Sequence, residues 1–245
     1  MRAIMPVAGL GSRFATVGIS KPKPLIEVGD KPMVRWAADS IPFVDDEEFV
    51  FVARQAHVDE YDIDDRLREI FTPAIDVVAI DYLTEGPACT AALAREHVDD
   101  EESVIVTDSD HYFESEQYRK LLTSDREGVR GAIPVFKADD DGLSYSAVDE
   151  EMHIQRVAEK DPISRYANIG AYYFDEFGEF RSALEIVQKR EETVNNEYYV
   201  APLYNEFVDG DGDIVACECE TVWSLGTPDA VERFESEYLN SRREA

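Results

Sequence analysis

The chain has 245 residues, 44% hydrophobic and 11% aromatic, and carries 53 acidic against 24 basic side chains for a formal net charge of −29. That apolar content belongs to a globular protein, so the acidity does not signal disorder. So negative a surface excludes nonspecific binding to nucleic-acid or anionic-membrane phosphates.

Residues 2–8 read as a buried strand rather than a signal peptide, and a glycine-rich turn follows. Pro32 then opens a helix through residue 41. Residues 48–53 read as a strand, 58–70 as an acidic amphipathic helix and 75–80 as the next strand. Gly86-Pro87 opens a small-residue helix over 88–97, and the strand at 103–107 ends in DSDHYF. Strands separated by single helices imply right-handed crossovers and a largely parallel sheet. The second half changes character. Segments 128–138, 144–148, 153–159 and 167–174 are strand-like with few helices between, which predicts an antiparallel extension of the same sheet. Helices are expected at 176–190 and 195–208, a hairpin or strand pair at 213–223, and a closing helix at 229–242. With no internal repeat and no long linker, residues 1–245 read as one α/β unit. No apolar run approaches the roughly 20 residues of a membrane span. Cys89, Cys217 and Cys219 make neither a disulfide framework nor a zinc site, so a cytoplasmic protein is expected.

Lysine is scarce, with seven in the chain. That scarcity beside the acidity points to a salt-loving host, the plainer alternative being an acidic protein of an ordinary cytosol. Against this background the first 35 residues stand out. Arg2, Arg13, Lys21, Lys23, Lys31 and Arg35 face only Glu27 and Asp30, a local charge of +4. The turn Gly9-Leu10-Gly11-Ser12-Arg13-Phe14 lets backbone N–H groups approach phosphate oxygens. It is neither a dinucleotide fingerprint, which wants glycine where Phe14 sits, nor a P-loop. Arg13 offers a planar fork, and Pro22 and Pro24 stiffen the backbone around Lys21 and Lys23. The structural alternative is a solvated basic loop. Further on, Asp108 and Asp110 at a strand's carboxyl end supply hard oxygens suited to Mg²⁺. Two residues apart on an extended chain, they share a face; solvation of a strand end is the bland reading.

GLGSRF followed by KPKPLIEVGDKPM is similar to the signature of the sugar-phosphate nucleotidylyltransferases, G-x-G-x-R then P-K-P-L and G-K-P-M. The resemblance implies a three-layer α/β/α nucleotide-binding fold with a mixed, mainly parallel sheet. Residues 1–125 would be its nucleotide-binding half and 126–245 its acceptor-binding half. It implies that Ala8, Gly9, Leu10, Gly11, Ser12 and Arg13 hold the nucleotide's phosphates, with Lys23 opposite. Arg13 and Lys23 would be catalytic. Glu85, Gly86, Pro87 and Ala88 would form the base-binding loop, which on composition alone is equally a tightly packed helix start. Asp110 matches the family's metal aspartate, with Asp108 beside it.

AEKDP (158–162) resembles an E-K-P segment whose lysine binds the acceptor's phosphate, which implies Lys160 with Glu159, although Asp161 intervenes. Asn168 and Gly170 match an N-x-G-x-Y/F strand lining the acceptor pocket. TVWSLGTP resembles W-x-D-x-G-T-P with one departure: Ser224 stands where the family has a second metal aspartate. Asp108, or Glu218 and Glu220 on one strand face, are the candidate replacements. EYYVAPLYN resembles the capsule and surface-polysaccharide branch, some of whose members activate non-sugar phosphates with CTP. The implied reaction joins an NTP to a phosphomonoester, a sugar 1-phosphate, with release of pyrophosphate and with Mg²⁺ as cofactor. The alternatives are a cytidylyltransferase for a phosphocholine-like acceptor, a D-x-D glycosyltransferase and a catalytically silent nucleotide-binding subunit.

Overall fold

In the computed structural model, which describes residues 1–124, 128–208, 210 and 212–244, the chain opens with β1 (Arg2–Pro6). A small hairpin follows, β2 (Glu27–Val28) and β3 (Lys31–Pro32), and then β4 (Phe49–Arg54), β5 (Asp76–Ile80) and β6 (Val104–Thr107). Parallel strands covered on both faces need continuous apolar runs. β4 has one, with Phe49 to Ala53 all buried. β1 pairs with β4 and β6, and β4 with β5, all in parallel.

The remaining strands are β7 (His111–Glu114), β8 (Val129–Lys137), β9 (Ser144–Val148), β10 (Ile154–Glu159), β11 (Tyr166–Asn168), β12 (Ala171–Phe174), β13 (Asp213–Glu218) and β14 (Thr221–Ser224). Among the described residues the main sheet has ten strands in the order β10-β9-β11-β8-β12-β6-β1-β4-β5, with β13 beside β8. β12 lies antiparallel between β6 and β8, so the second half extends the first sheet, as the strand-rich sequence predicts.

The layers follow from strand alternation. Ile4 of β1 faces one core with the helices Pro87–Ala91 and Phe177–Lys189. Ala3 and Met5 face the other, with Met33–Asp39, Ile63–Ile70 and Glu116–Thr123. The result is the expected α/β/α arrangement around a mixed sheet. A third cluster of Phe14, Trp36, Tyr112 and Phe234 ties the glycine turn to the carboxyl-terminal helices.

Several elements depart from expectation. The helix expected at 58–70 is two, Gln55–Tyr61 and Ile63–Ile70, broken at Asp62, whose φ of 50° aspartate tolerates better than most residues. The helix expected at 195–208 shrinks to a 3₁₀ turn, Ala201–Glu206. Upstream, Asn195 and Asn196 are left-handed, and Tyr198 donates its N–H to the Glu85 carbonyl instead of to a helical one. The pair at 213–223 is no hairpin: β13 runs parallel to β8, whereas β14 pairs antiparallel with β7. The closing helix contains a π-helical stretch, Phe234–Leu239. The expected boundary between halves at 125/126 lies outside the described residues. Among the described residues no helix is long and apolar enough to cross a membrane.

Candidate active site

The glycine turn leaves the end of β1, where Val7 N–H still donates to Val52 O (2.8 Å). Gly9 and Leu10 are exposed, and Gly11 takes a φ of 62°, which turns the chain into the short helix Ser12–Ala15. Phe14 is buried in the third cluster and so fixes the helix that carries Arg13. Downstream, Lys23-Pro24-Leu25 forms a 3₁₀ turn whose Pro24 and Leu25 are buried. Anchored there, Lys23 donates from Nζ to Asp110 Oδ2 (2.8 Å), across 87 residues of sequence.

The aspartates sit just past the end of β6, each against a glycine. Asp108 N–H donates to Gly170 O (2.8 Å), and a Cβ on Gly170, whose φ is 84°, would overlap the Asp108 carboxylate. Leu225 N–H donates to Asp110 O (2.7 Å), and a Cβ on Gly226 would lie 2.7 Å from Asp110 Oδ2. Ser224 is opposite His111 in the β7–β14 pairing. Arg13, Pro87, Asp108, Asp110, Asn168 and Ser224 line one cleft of about 650 Å³, together with Glu159 and Gly170.

The electrostatics of the cleft are uneven. Withdrawal from bulk water and the neighbouring Asp110 charge push the Asp108 carboxyl up to about 7, against the opposing pull of Lys23. Burial pushes Asp110 the same way, but the Lys23 ammonium, with His111 and Arg13, outweighs it and holds Asp110 below its ordinary value. Burial lowers His111 to about 4, despite Asp110, so its imidazole is neutral near pH 7. Burial also raises Glu159 to about 7, Lys160 opposing and Glu197 adding to the rise. Asn168 accepts a hydrogen bond from Ser146 Oγ at Oδ1 (2.7 Å), while its buried Nδ2 has no partner among the described residues.

Other expected residues lie elsewhere. Of the base-binding loop, only Pro87 lines the cleft. Ala88 is fully buried and its N–H donates to Tyr198 O (3.1 Å), while Glu85 lines a separate depression beside Tyr82 and Leu83. Lys160 is not a lining residue. Its φ is 55°, and its Nζ donates to the Tyr199 hydroxyl (2.5 Å), which donates in turn to Glu197 (2.5 Å). Glu218 pairs with Lys137 (3.2 Å), and Glu220 accepts the Glu116 N–H at the start of the helix 116–123 (3.0 Å), so neither replaces the missing aspartate. Four of the six basic residues in the first 35 are tied to carboxylates outside the site: Arg2 to Asp76, Lys21 to Glu27, Lys31 and Arg35 to Asp39. Arg13 and Lys23 remain at the site. Sequence reading missed Asp140, Tyr199 and Arg233, all lining the cleft; an acidic run in so acidic a chain, a tyrosine pair and a single arginine carry no motif spacing to mark them.

Among the described residues no group of three or more His, Cys, Asp or Glu side chains converges as a metal cage. Asp108 and Asp110 offer two carboxylates in one cleft, and Mg²⁺ is commonly held by one or two carboxylates together with substrate phosphates and water. Like charges that burial leaves poorly solvated fit a divalent cation, so the donor set suits the metal.

A family model described as nucleotidyl transferase matches residues 2–239. The mannose-1-phosphate guanylyltransferase catalytic subunit beta of Dictyostelium discoideum is 24% identical across 98% of this chain, which spans 65% of that relative's length. The UTP–glucose-1-phosphate uridylyltransferase of Komagataeibacter xylinus is 34% identical over 28% of this chain and 25% of its own. The crystal structure of a nucleoside-diphosphate-sugar pyrophosphorylase from Vibrio cholerae RC9 shares the fold, with a TM-score of 0.81 at 22% identity, covering 96% of this chain and 100% of that one.

Proposed function

Because the chain belongs to the nucleotidyl transferase family, we propose that it couples an NTP to a phosphomonoester, a sugar 1-phosphate, and releases pyrophosphate. The observation that carries this reading is the Lys23–Asp110 contact of 2.8 Å in a cleft that also holds Arg13. A lysine from the basic amino-terminal segment meets a strand-end carboxylate where a triphosphate needs both a cation and a metal seat.

An acceptor phosphate oxygen attacks the α-phosphorus. One P–O bond forms there, the α–β bridging P–O bond breaks, and pyrophosphate departs in line with that electron pair. The attacking oxygen is already anionic, so no general base is needed, and catalysis rests on positioning and charge neutralisation. Lys23 neutralises charge developing around the α-phosphoryl group, and Arg13 steadies the leaving pyrophosphate. The glycine turn, Ala8 to Ser12, exposed at Gly9, Leu10 and Ser12, offers backbone N–H groups to the β- and γ-phosphates, and the 85–88 loop edges the base through Pro87. Asn168 donates from its unpartnered Nδ2 to the acceptor, and Gly170 leaves room for Asp108. Lys160 acts through Tyr199. Bound by Asp110 with Asp108, Mg²⁺ would supply Lewis-acid neutralisation of the phosphates. Reliance on NTP places the reaction in the cytoplasm.

Screening four NTPs against sugar 1-phosphates and other phosphomonoesters, with Mg²⁺ at high KCl, tests the proposal by pyrophosphate release. One productive pair is expected. Nucleotide binding without pyrophosphate across the whole panel would make the chain a silent subunit. Release of a nucleoside diphosphate from a nucleotide sugar would make it a glycosyltransferase.

A further inference from the structure

The wall that β8 to β11 contribute to the cleft carries two ionisable side chains, Asp140 and Glu159, and both are acidic. Asp140 stands on the β8–β9 connection, where its Oδ1 accepts the Gly142 N–H (2.8 Å). Behind Glu159 stands a third carboxylate, Glu197, reached through the Tyr199 hydroxyl. Among the described residues no lysine or arginine lines that wall, and Lys160, next to Glu159 in the chain, offsets only part of the acidic charge. Lys160 is itself engaged with Tyr199, its Nζ 4.4 Å from the ring centre. Of the cleft's two arginines, Arg13 belongs to the glycine turn, and Arg233 sits on the helix 228–233 beside Glu237 (3.5 Å). Aromatic rings flank the acids: Phe136 on the wall itself, and Tyr172 and Tyr199 from the adjoining β12 and the segment before the 201–206 turn.

A phosphomonoester brings up to two negative charges of its own. An electroneutral body on that phosphate would leave the acidic wall uncompensated, in a protein already at −29. Carboxylates interleaved with aromatic rings are the surroundings that stabilise a substituted ammonium. A second, independent feature points to the phosphate itself. Asn168 is 5% exposed and keeps an unpartnered Nδ2 in the same wall, a donor that an anionic oxygen would satisfy.

Resting on the nucleotidyl-transfer reading, we propose that the acceptor is a phosphomonoester bearing a cationic nitrogen, which Asp140, Glu159 and the wall aromatics recognise while Asn168 donates to its phosphate. The class spans amino-sugar 1-phosphates and amino-alcohol phosphates.

Matched pairs separate charge from shape: glucosamine 1-phosphate against glucose 1-phosphate, and phosphocholine against its carbon isostere, 3,3-dimethylbutyl phosphate. At least one cationic member should exceed its neutral partner by about tenfold or more in kcat/KM for pyrophosphate release. The pair that responds tells the amino sugar from the amino alcohol. Asp140→Asn and Glu159→Gln, each checked for an unaltered melting profile, should collapse that ratio toward one; Asp140 is exposed, so its variant folds even if the other does not. Neutral members used as well as their cationic partners in both pairs, or variants that slow both members of the responding pair equally, would overturn the inference while leaving nucleotidyl transfer intact. If nothing releases pyrophosphate, the activity reading fails, and calorimetric binding of the same pairs to the NTP-loaded protein decides the matter. Preference for the cationic member upholds the inference, and no preference overturns it.

Discussion

Lys23 and Asp110 illustrate how little of a site one residue carries alone. The ammonium holds the carboxylate ionised, the carboxylate orients the ammonium, and both lean on backbone turns fixed by buried neighbours. The side chains stay 27% and 23% exposed, so their pairing adds little to stability compared with its place in the chemistry. Lys23→Met should therefore lower kcat/KM by about 10²–10³-fold, the range for losing one preorganised charge or donor at a reacting centre. Its melting temperature should move by about 4 °C or less, equivalent to about 1 kcal/mol at this chain length. Initial rates of pyrophosphate formation beside a thermal melt measure both. A variant that keeps a third of its rate would remove Lys23 from the mechanism. The serine at 224 sharpens the same lesson. It faces the cleft beside His111, so the departure from the family pattern falls inside the cleft, and in the proposed reading Asp108 is the carboxylate left to share a metal with Asp110.

Turns, more than strands, decide where these residues meet. Gly86 has a φ of 129°, and a Cβ there would lie 2.6 Å from both the N and O atoms of Tyr198, whose N–H and C=O bond to Glu85 and Ala88. That glycine docks the start of the 87–91 helix onto the irregular segment before the 201–206 turn, and so holds Pro87 at the cleft. Gly86→Ala should cost about 1–3 kcal/mol in strain and clash, lowering the melting temperature by roughly 2–12 °C. Gly9→Ala, at a position with open space around its Cβ, should leave it within 2 °C or so. Equal shifts in the two variants would refute the docking role. The contact also shows what could be read from sequence. Gly86-Pro87 was legible as a helix start, because glycine and proline announce turns locally. Its partner Tyr198, more than a hundred residues on, was not. The same holds for Gly170 beneath Asp108, for the unexpected partners of β13 and β14, and for Lys160, which local motif matching aims at the acceptor but which the fold turns onto Tyr199. Arg13, Lys23, Asp108 and Asp110 were legible as candidates because they stand in short, stiff segments. Their convergence depends on register across the sheet, which alternation along one strand cannot specify.

Over the whole molecule, 53 acidic side chains face 24 basic ones, and several of the basic ones at partly buried positions are already paired, as Arg2, Arg35 and Arg130 are with Asp76, Asp39 and Glu179. The surplus acids therefore repel one another across the surface without local relief. Added salt weakens both repulsions and surface ion pairs, so the sign of its effect depends on which dominate. Exposed pairs such as Lys120–Glu116 and Lys189–Glu185 are worth at most about 1 kcal/mol each, and the partly buried ones are screened far less. With acids outnumbering bases more than two to one, repulsion prevails, and screening should stabilise the fold. We propose on this ground that the chain is adapted to a saline interior. Raising KCl from 0.1 to 1 M shortens the screening length from about 10 to about 3 Å. A gain of about 3 kcal/mol would lift the melting temperature by about 6–12 °C. The shape of the curve identifies the cause. Screening saturates once the screening length falls below the spacing of the charges, so most of the rise should come below 1 M. A linear rise continuing to 3 M would instead point to exclusion of salt from the protein surface, and a flat or falling curve would show that the acidic excess has no bearing on folding.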